Sequence, residues 1–215
     1  MKEHPILFSG PMVRAIIDGT KTQTRRVVKF PKWASVAEGI EVENGIPEAY
    51  SQAEGRFSEI KCQHGQTGTK LWVREKFGQL QDEDGGRYVY RADFPPDNDE
   101  FHRGKGWKPS IFMPRVASRI LLEITDIRCE RLQDISEADA ISEGIEWCGG
   151  DDRLPQGNTN GIDAGWKNYM ETGNFDGFFV SPISSFQSLW ESINGAESLE
   201  QNPLVWVIEF KRITP

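Results

Sequence analysis

The 215-residue chain has only three cysteines, Cys62, Cys129 and Cys148, far apart and without a Cys-x-x-Cys pair. An odd number at that spacing argues against a disulfide framework and against a cysteine-rich zinc site. Histidine is as scarce. His4, His64 and His102 are scattered, and Cys62-x-His64 falls short of a ligand set, so neither a metal nor a cofactor is expected. No run reaches membrane-spanning length, and the start MKEHPILFSG lacks the apolar core of a signal peptide. The expectation is a soluble protein of a reducing, cytoplasmic compartment that makes no use of a membrane. Phosphate-binding loops, a dinucleotide fingerprint and a Gly-x-Ser-x-Gly elbow are all missing. An excess of positive charge is missing too, since 25 Lys and Arg face 33 Asp and Glu for a net −8. Such a chain repels polyanions as a whole, so any phosphate contact has to come from a local patch.

What is present suffices for a core. The hydrophobic share is 37%, and the length predicts one large domain or a domain carrying insertions. Ser9 or Gly10 can cap a short helix with Pro11 in its first turn. Met12, Val13, Ile16 and Ile17 form its apolar face, and Gly19 stops it. The β-branched run from Thr20 to Val28 then reads as a strand. Further strands are expected over 69–77, 116–128 and 204–213, with a hairpin around Asp84-Gly85-Gly86 leading into Tyr88-Val89-Tyr90. Ser136 with Asp139 is a capping-box pattern for a second helix, striped by Ala138, Ile141 and Ile145 and stopped by Gly144. Ser185 caps a third, with Phe186, Leu189, Trp190 and Ile193 at helical spacing before Asn194-Gly195. Residues 37–60, 79–110 and 146–183 read as insertions, the last a Gly- and aromatic-rich loop. Several separated strands with three short helices predict an α+β fold, a curved sheet or small barrel decorated by loops. No domain boundary is visible.

The local basic patch lies in residues 14–32, where Arg14, Lys21, Arg25, Arg26, Lys29 and Lys32 face one acid, Asp18. Two readings fit: a solvated strand edge that resists sheet-to-sheet pairing, or a site for an anionic group that uses the two-pronged donors of arginine.

Gly19-x-Lys21-x-x-Thr24-x-Arg26, between a short helix and a strand, resembles the Gly-x-Lys-x-x-Glu-x-Arg signature of ASCH domains. The longer blocks ILFSGPMVRAIIDGTKTQTRRVV, KLWVREKF, MPRVASRILLEITDIRCERLQDISEADAISEGI and LVWVIEFKRI look like phage- and prophage-borne members of that family. The resemblance implies a PUA-like β-barrel fold for residues 1–215, with the three insertions added, and an association with RNA or nucleotides. Where the signature has Glu, this chain has Thr24. A branch with Thr there includes N4-acetylcytidine amidohydrolases, whose proposed catalytic groups are a Lys, a Thr and a Glu. Carried over, these fall on Lys21, Thr24 and Glu143, with Glu137 and Glu146 close enough in sequence to compete for the last role.

The chemistry of the residues is compatible with that. A threonine hydroxyl needs a base, and Lys21 qualifies if burial and the neighbouring Arg25 and Arg26 lower its pKa. A carboxylic acid at Glu143, at a helix end that disfavours the carboxylate, would protonate the departing amine. In a regular strand, however, Lys21 and Thr24 face opposite sides, so they converge only where the chain is still turning after Gly19. Arg115, Ser118 and Arg119 either extend an anion site or are polar strand-edge residues. Trp72 with Arg74 either stacks a base and pairs its phosphate or belongs to the core. Three functions follow from the same residues: an amide hydrolase on a modified nucleoside such as an N4-acylated cytidine, with a pocket where the first helix meets the first strand; a non-catalytic RNA or nucleic-acid binder; or a phage accessory protein. The net −8 favours a small substrate over a long polyanion.

Overall fold

The computed structural model describes residues 3–30, 39–43, 45–51, 55–80, 86–94, 106–148, 165–170 and 178–213. It is an α+β protein in which strands predominate. In chain order the strands are β1 (Glu3–Leu7), β2 (Gln23–Val27), β3 (Gly39–Glu43), β4 (Ile46–Ser51), β5 (Arg56–Glu59), β6 (Lys70–Arg74) and β7 (Phe77–Leu80). They continue as β8 (Arg87–Tyr90), β9 (Leu121–Arg131), β10 (Trp147–Cys148), β11 (Gly165–Lys167), β12 (Phe178–Phe179) and β13 (Leu204–Ile213). The α-helices are α1 (Gly10–Ile17), α2 (Glu137–Ser142) and α3 (Pro182–Asn194). Among the described residues the sheets are open, and no helix is long and apolar enough to cross a membrane.

The chain divides into two compact units, each assembled from separated segments. The first comprises residues 1–20, 62–127 and 209–215. Its sheet runs β1-β6-β9-β13, with β1 parallel to β6 and β6 antiparallel to β9. Alternation along β6 turns Leu71 and Val73 inward, where they join Ile6, Leu122 and Ile124, all essentially without solvent exposure. Phe77, Met113 and Ala117 form a second cluster under Tyr88 and Tyr90, where β7 and β8 pair antiparallel. This pairing includes the expected Tyr88–Tyr90 strand, whereas Asp84 and Gly85 of the expected turn lie outside the described residues.

The second unit comprises residues 21–61 and 128–208. It holds β2 beside β13, the three-stranded sheet β3-β4-β5, the short sheet β10-β11-β12 and helices α2 and α3. Its core is Leu132, Ile135, Ala140, Ile145, Phe186, Trp190 and Val205. Two expected insertions therefore contain paired strands in their described parts: β3-β4-β5 in 37–60, and β10-β11-β12 in 146–183. Most glycines of the latter, including Gly149, Gly150, Gly157, Gly161, Gly173 and Gly177, lie outside the described residues.

Local signals account for most element ends, and the exceptions have identifiable causes. Gly19 and Gly144 adopt φ +78° and Gly195 φ +97°, the left-handed region where glycine stops a helix without a Cβ penalty. β13 spans the whole expected segment 204–213. The expected strand at 116–128 begins only at Leu121, because Pro114 opens a 3-10 turn over Arg115–Ala117. Helix α3 begins before Ser185: Ser181 is the cap, accepting from the Ile183 N–H at 3.2 Å, and Pro182 opens the helix. Ser185 is instead buried within α3 and donates to the Lys167 carbonyl at 2.7 Å. Helix α2 has the expected cap, with the Asp139 N–H donating to Ser136 Oγ at 3.1 Å, but its inward face differs. Ile141 is 44% exposed and Ala138 is exposed, whereas Ala140 and Glu143 are buried.

Phe186 joins the second unit's apolar core to its polar residues, because the Arg25 guanidinium carbon lies 5.6 Å from its ring centroid. Phe186→Ala is expected to destabilise the protein by about 3–5 kcal/mol through cavity formation and loss of that cation–π contact. Urea denaturation measures it, and a loss below about 1 kcal/mol would contradict this packing.

Candidate active site

The site starts from a backbone bridge. After Gly19 the chain has not yet entered β2. Lys21 forms an isolated antiparallel bridge with Glu143, and the Thr22 N–H donates to the Ser142 carbonyl at 2.9 Å. Glu143 is the residue that ends α2, just ahead of Gly144. The bridge brings together two residues 122 positions apart in sequence, and their side chains complete the join. Lys21 Nζ donates to Glu143 Oε2 at 2.9 Å and to the Glu143 carbonyl at 2.7 Å. The second bond places a cation on a carbonyl at the C-terminal end of the helix, where the dipole favours it.

Arg25, on β2 and buried, takes the other carboxylate oxygen, with Nη1 3.1 Å from Glu143 Oε1. Its remaining edge faces Glu130 on β9, through Nη2 at 2.6 Å and Nε at 3.2 Å, and its Nη2 is 3.4 Å from Asp139 Oδ2. Gln23 locks β2 to α2 by donating to the Asp139 carbonyl at 2.7 Å and to Asp139 Oδ1 at 3.1 Å. Arg128 closes the outer side, donating to Glu130 Oε2 at 3.3 Å and to both oxygens of Asp139 at 3.1 and 3.2 Å. These residues all belong to the second unit.

Burial decides the electrostatics. Desolvation holds the Lys21 ammonium below the ordinary lysine value of 10.5; Glu143 opposes this, while Arg26 and Arg25 add to it. Burial likewise lowers the Arg26 guanidinium, with Glu143 pulling the other way. For Asp139, burial raises the carboxyl, but the bond from Gln23 and the charges of Arg25 and Arg128 outweigh it, leaving a net lowering. A neutral amine at Lys21 keeps two N–H donors, enough for both contacts to Glu143, and its lone pair is then a base.

Thr24 is buried on β2, and among the described residues its hydroxyl makes no hydrogen bond. Gln23, Thr24 and Arg25 are consecutive and all buried, so β2 does not alternate there. Lys21 precedes β2, which starts at Gln23, so the strand alternation that would set Lys21 and Thr24 on opposite sides does not reach Lys21. Of the competing carboxylates, Glu137 is exposed in the first turn of α2, and Glu146 pairs with Lys167 at 2.8 Å; Glu143 is the one that meets Lys21.

The remaining candidates lie in the first unit, and their donors engage protein acceptors. Arg74 lies 5.1 Å from the Trp72 ring centroid and donates to the Met113 and Ile111 carbonyls. Arg115 pairs with Glu3 at 2.6 Å. Ser118 Oγ donates to the Val73 carbonyl at 2.8 Å. Arg119 grips the buried Glu75 at 2.8 and 3.0 Å, pairs with Asp93 and lies 4.0 Å from the Tyr90 ring centroid.

Sequence reasoning did not single out Gln23, Glu130, Asp139 or Arg128 for this site. The indole of Trp147 is 56% exposed and meets Trp166 edge-on with centroids 5.1 Å apart. It follows Glu143 by four residues, so the two Cα atoms are at most ~14 Å apart. Among the described residues no group of three or more His, Cys, Asp and Glu side chains could hold a metal ion. A scan of family models gave no match, and neither did searches of curated proteins and of solved structures.

Glu143 is the only carboxylate bonded to both Lys21 and Arg25 among the described residues, which sets an asymmetry. Glu143→Leu, which strands buried cations, is expected to cost about 3–5 kcal/mol, and Lys21→Met less, because Glu143 keeps Arg25. The pH dependence has a definite sign. Lys21 has a lowered folded pKa, so the unfolded chain binds its proton more readily, and the charged form opposes folding at low pH. That penalty lifts as pH rises from the lowered value towards 10.5. Wild-type stability relative to Lys21→Met should therefore climb across that window in urea melts, and a flat or falling difference would contradict the burial of the ammonium.

Proposed function

We propose that this chain is an ASCH-type protein with a PUA-like fold, and that it hydrolyses an amide on a modified nucleoside of the N4-acylcytidine class. The observation that carries this reading is the 2.9 Å contact between Lys21 Nζ and Glu143 Oε2. It joins two of the three groups that the resemblance names, and the third, Thr24, lies three residues from Lys21 with its hydroxyl unengaged among the described residues.

Neutral Lys21 takes the proton of the Thr24 hydroxyl as Oγ1 attacks the acyl carbon. The bond from that carbon to the exocyclic nitrogen then breaks. The Lys21 ammonium returns its proton to the leaving amine, yielding the free cytosine amine and an acyl-threonine. Water, deprotonated by Lys21, attacks the ester carbon; the bond to Thr24 Oγ1 breaks, Lys21 returns the proton to that oxygen, and the acyl group leaves as a carboxylic acid. Glu143 serves here as an oriented carboxylate rather than the acid, since its two oxygens accept from Lys21 and Arg25 and neither is placed to donate. Arg26, half-buried and within charge range of Glu143, supplies positive charge for the developing oxyanion. The burial of Lys21, Thr24 and Glu143 keeps bulk water from these charges and strengthens each electrostatic contact.

Lys21→Arg keeps the cation and removes the base, because arginine does not deprotonate in proteins. Turnover of N4-acetylcytidine is expected to fall by about 10²-fold or more, the range of a lost general base, while nucleoside affinity persists. Thr24→Ser should retain activity that Thr24→Val abolishes. A wild-type protein that turns over no N4-acylated cytidine, yet binds RNA with a steep salt dependence, would instead be a nucleic-acid binder.

The exposed Trp147 face offers the planar apolar surface on which a pyrimidine stacks. Trp147→Ala should raise KM about tenfold, the equivalent of one stacking contact, with kcat little changed, and Trp147→Phe should recover most of the loss. An unaltered KM would remove Trp147 from the substrate's path.

A further inference from the structure

We propose that Glu130 is a positioning residue for the Lys21–Glu143 couple, acting through the buried Arg25 guanidinium and itself governed by Arg128. This rests on Lys21 as the base of the preceding reading. A ladder of alternating charge runs through one unit. Arg128 contacts Glu130 and Asp139; both contact Arg25; Arg25 contacts Glu143; Glu143 contacts Lys21. The inner end of this ladder is sealed, as the Lys21 and Arg25 side chains have no solvent exposure, whereas Glu130, Asp139 and Arg128 reach water.

Arg25 makes the ladder transmissive. Its guanidinium is planar and rigid, so the Nε/Nη2 edge held by Glu130 fixes where Nη1 points, and Nη1 holds Glu143 Oε1. The Phe186 ring packs against the same guanidinium, and Gln23 holds Asp139 in place. Removing Glu130 therefore has two effects at Lys21. Arg25 loses its shortest partner and can tilt away from its present angle to Glu143. The inner cluster of Lys21, Arg25 and Arg26 also loses a nearby negative charge, so a proton on Lys21 becomes less favourable.

The charged and titratable groups around the couple act with known signs. On β2, Arg25 and Arg26 disfavour the ammonium. Glu143 at the end of α2 favours it, and Asp139 and Glu130 do so from further out. Arg128 offsets those two carboxylates. Cys129 and Arg131 flank Glu130 on β9; the Cys129 thiol, pushed up to about 11 by burial first and Glu130 second, stays neutral at lower pH. Phe186 on α3 carries no charge.

Opposite charges in the outer part of the ladder must therefore move Lys21 in opposite directions. Lysine-selective ¹⁵N labelling with Lys21→Arg as the assignment control reads the Lys21 titration midpoint directly, with no substrate present. Glu130→Gln is expected to lower that midpoint by about one pH unit, and Arg128→Met to raise it by a smaller amount. The high-activity limb of the pH–rate profile on N4-acetylcytidine should follow in the same two directions. Both variants displacing the midpoint the same way, or neither displacing it, would overturn the proposal. If Glu130→Gln does not fold, the sign found for the partly exposed Arg128→Met decides alone. Wild-type protein without turnover would end the amidase reading while leaving the midpoint result standing; turnover without any displacement would end this inference alone.

Discussion

An ammonium group without solvent exposure, held against the Glu143 carboxylate, is the constraint on which the second unit depends. The Lys21 side chain cannot leave water unless Glu143 is at hand, and Glu143 cannot remain buried without Lys21 and Arg25. Satisfying the three at once dictates much nearby backbone. The chain pairs with α2 before β2 begins, α2 ends at Glu143, and Gly144 takes the left-handed conformation that releases the chain. Such an arrangement contributes little net stability, because desolvation offsets most of the Coulombic gain. Its consequence is chemical: an amine that sheds its proton more readily than an exposed lysine, beside a carboxylate that holds it in place.

The two units handle buried charge differently. In the first, Glu75 is also buried, and burial raises its carboxyl against the pull of Arg119. Arg119 answers it with two parallel bonds, and also pairs with Asp93 and stacks on Tyr90, so there one cation serves two carboxylates. In the second, one carboxylate serves Lys21 and Arg25 together, and the compensating Glu130 and Asp139 stand further out. Sharing one carboxylate between two cations leaves the proton on Lys21 responsive to the surrounding charges.

Legibility in the sequence followed the range of the forces involved. Helix α1, the stop glycines and β13 are readable because their signals are local: a proline in the first turn, a residue with no Cβ, a continuous apolar run from Leu204 to Ile208. The inward face of α2 was misread because hydrophobic periodicity assumes that burial is apolar, whereas here Ile141 faces out and Glu143 faces in. β9 begins later than its sequence pattern suggests because its expected first residues are turned by Pro114, and α3 begins earlier because Ser185 resembles a cap while Ser181 and Pro182 supply the real start.

From the sequence alone came the candidate groups Lys21 and Thr24 and the places where the chain stops turning, since side-chain chemistry and backbone preference belong to individual residues. Which carboxylate meets Lys21 was beyond its reach. Glu137, Glu143 and Glu146 differ little as isolated residues, and the choice depends on which phase of α2 the bridge presents to Lys21. Nor could it say that Arg115 and Arg119 are committed to Glu3, Glu75 and Asp93, since partner selection among charges is settled by distance and solvent exposure. Those two quantities exist only once the chain has folded.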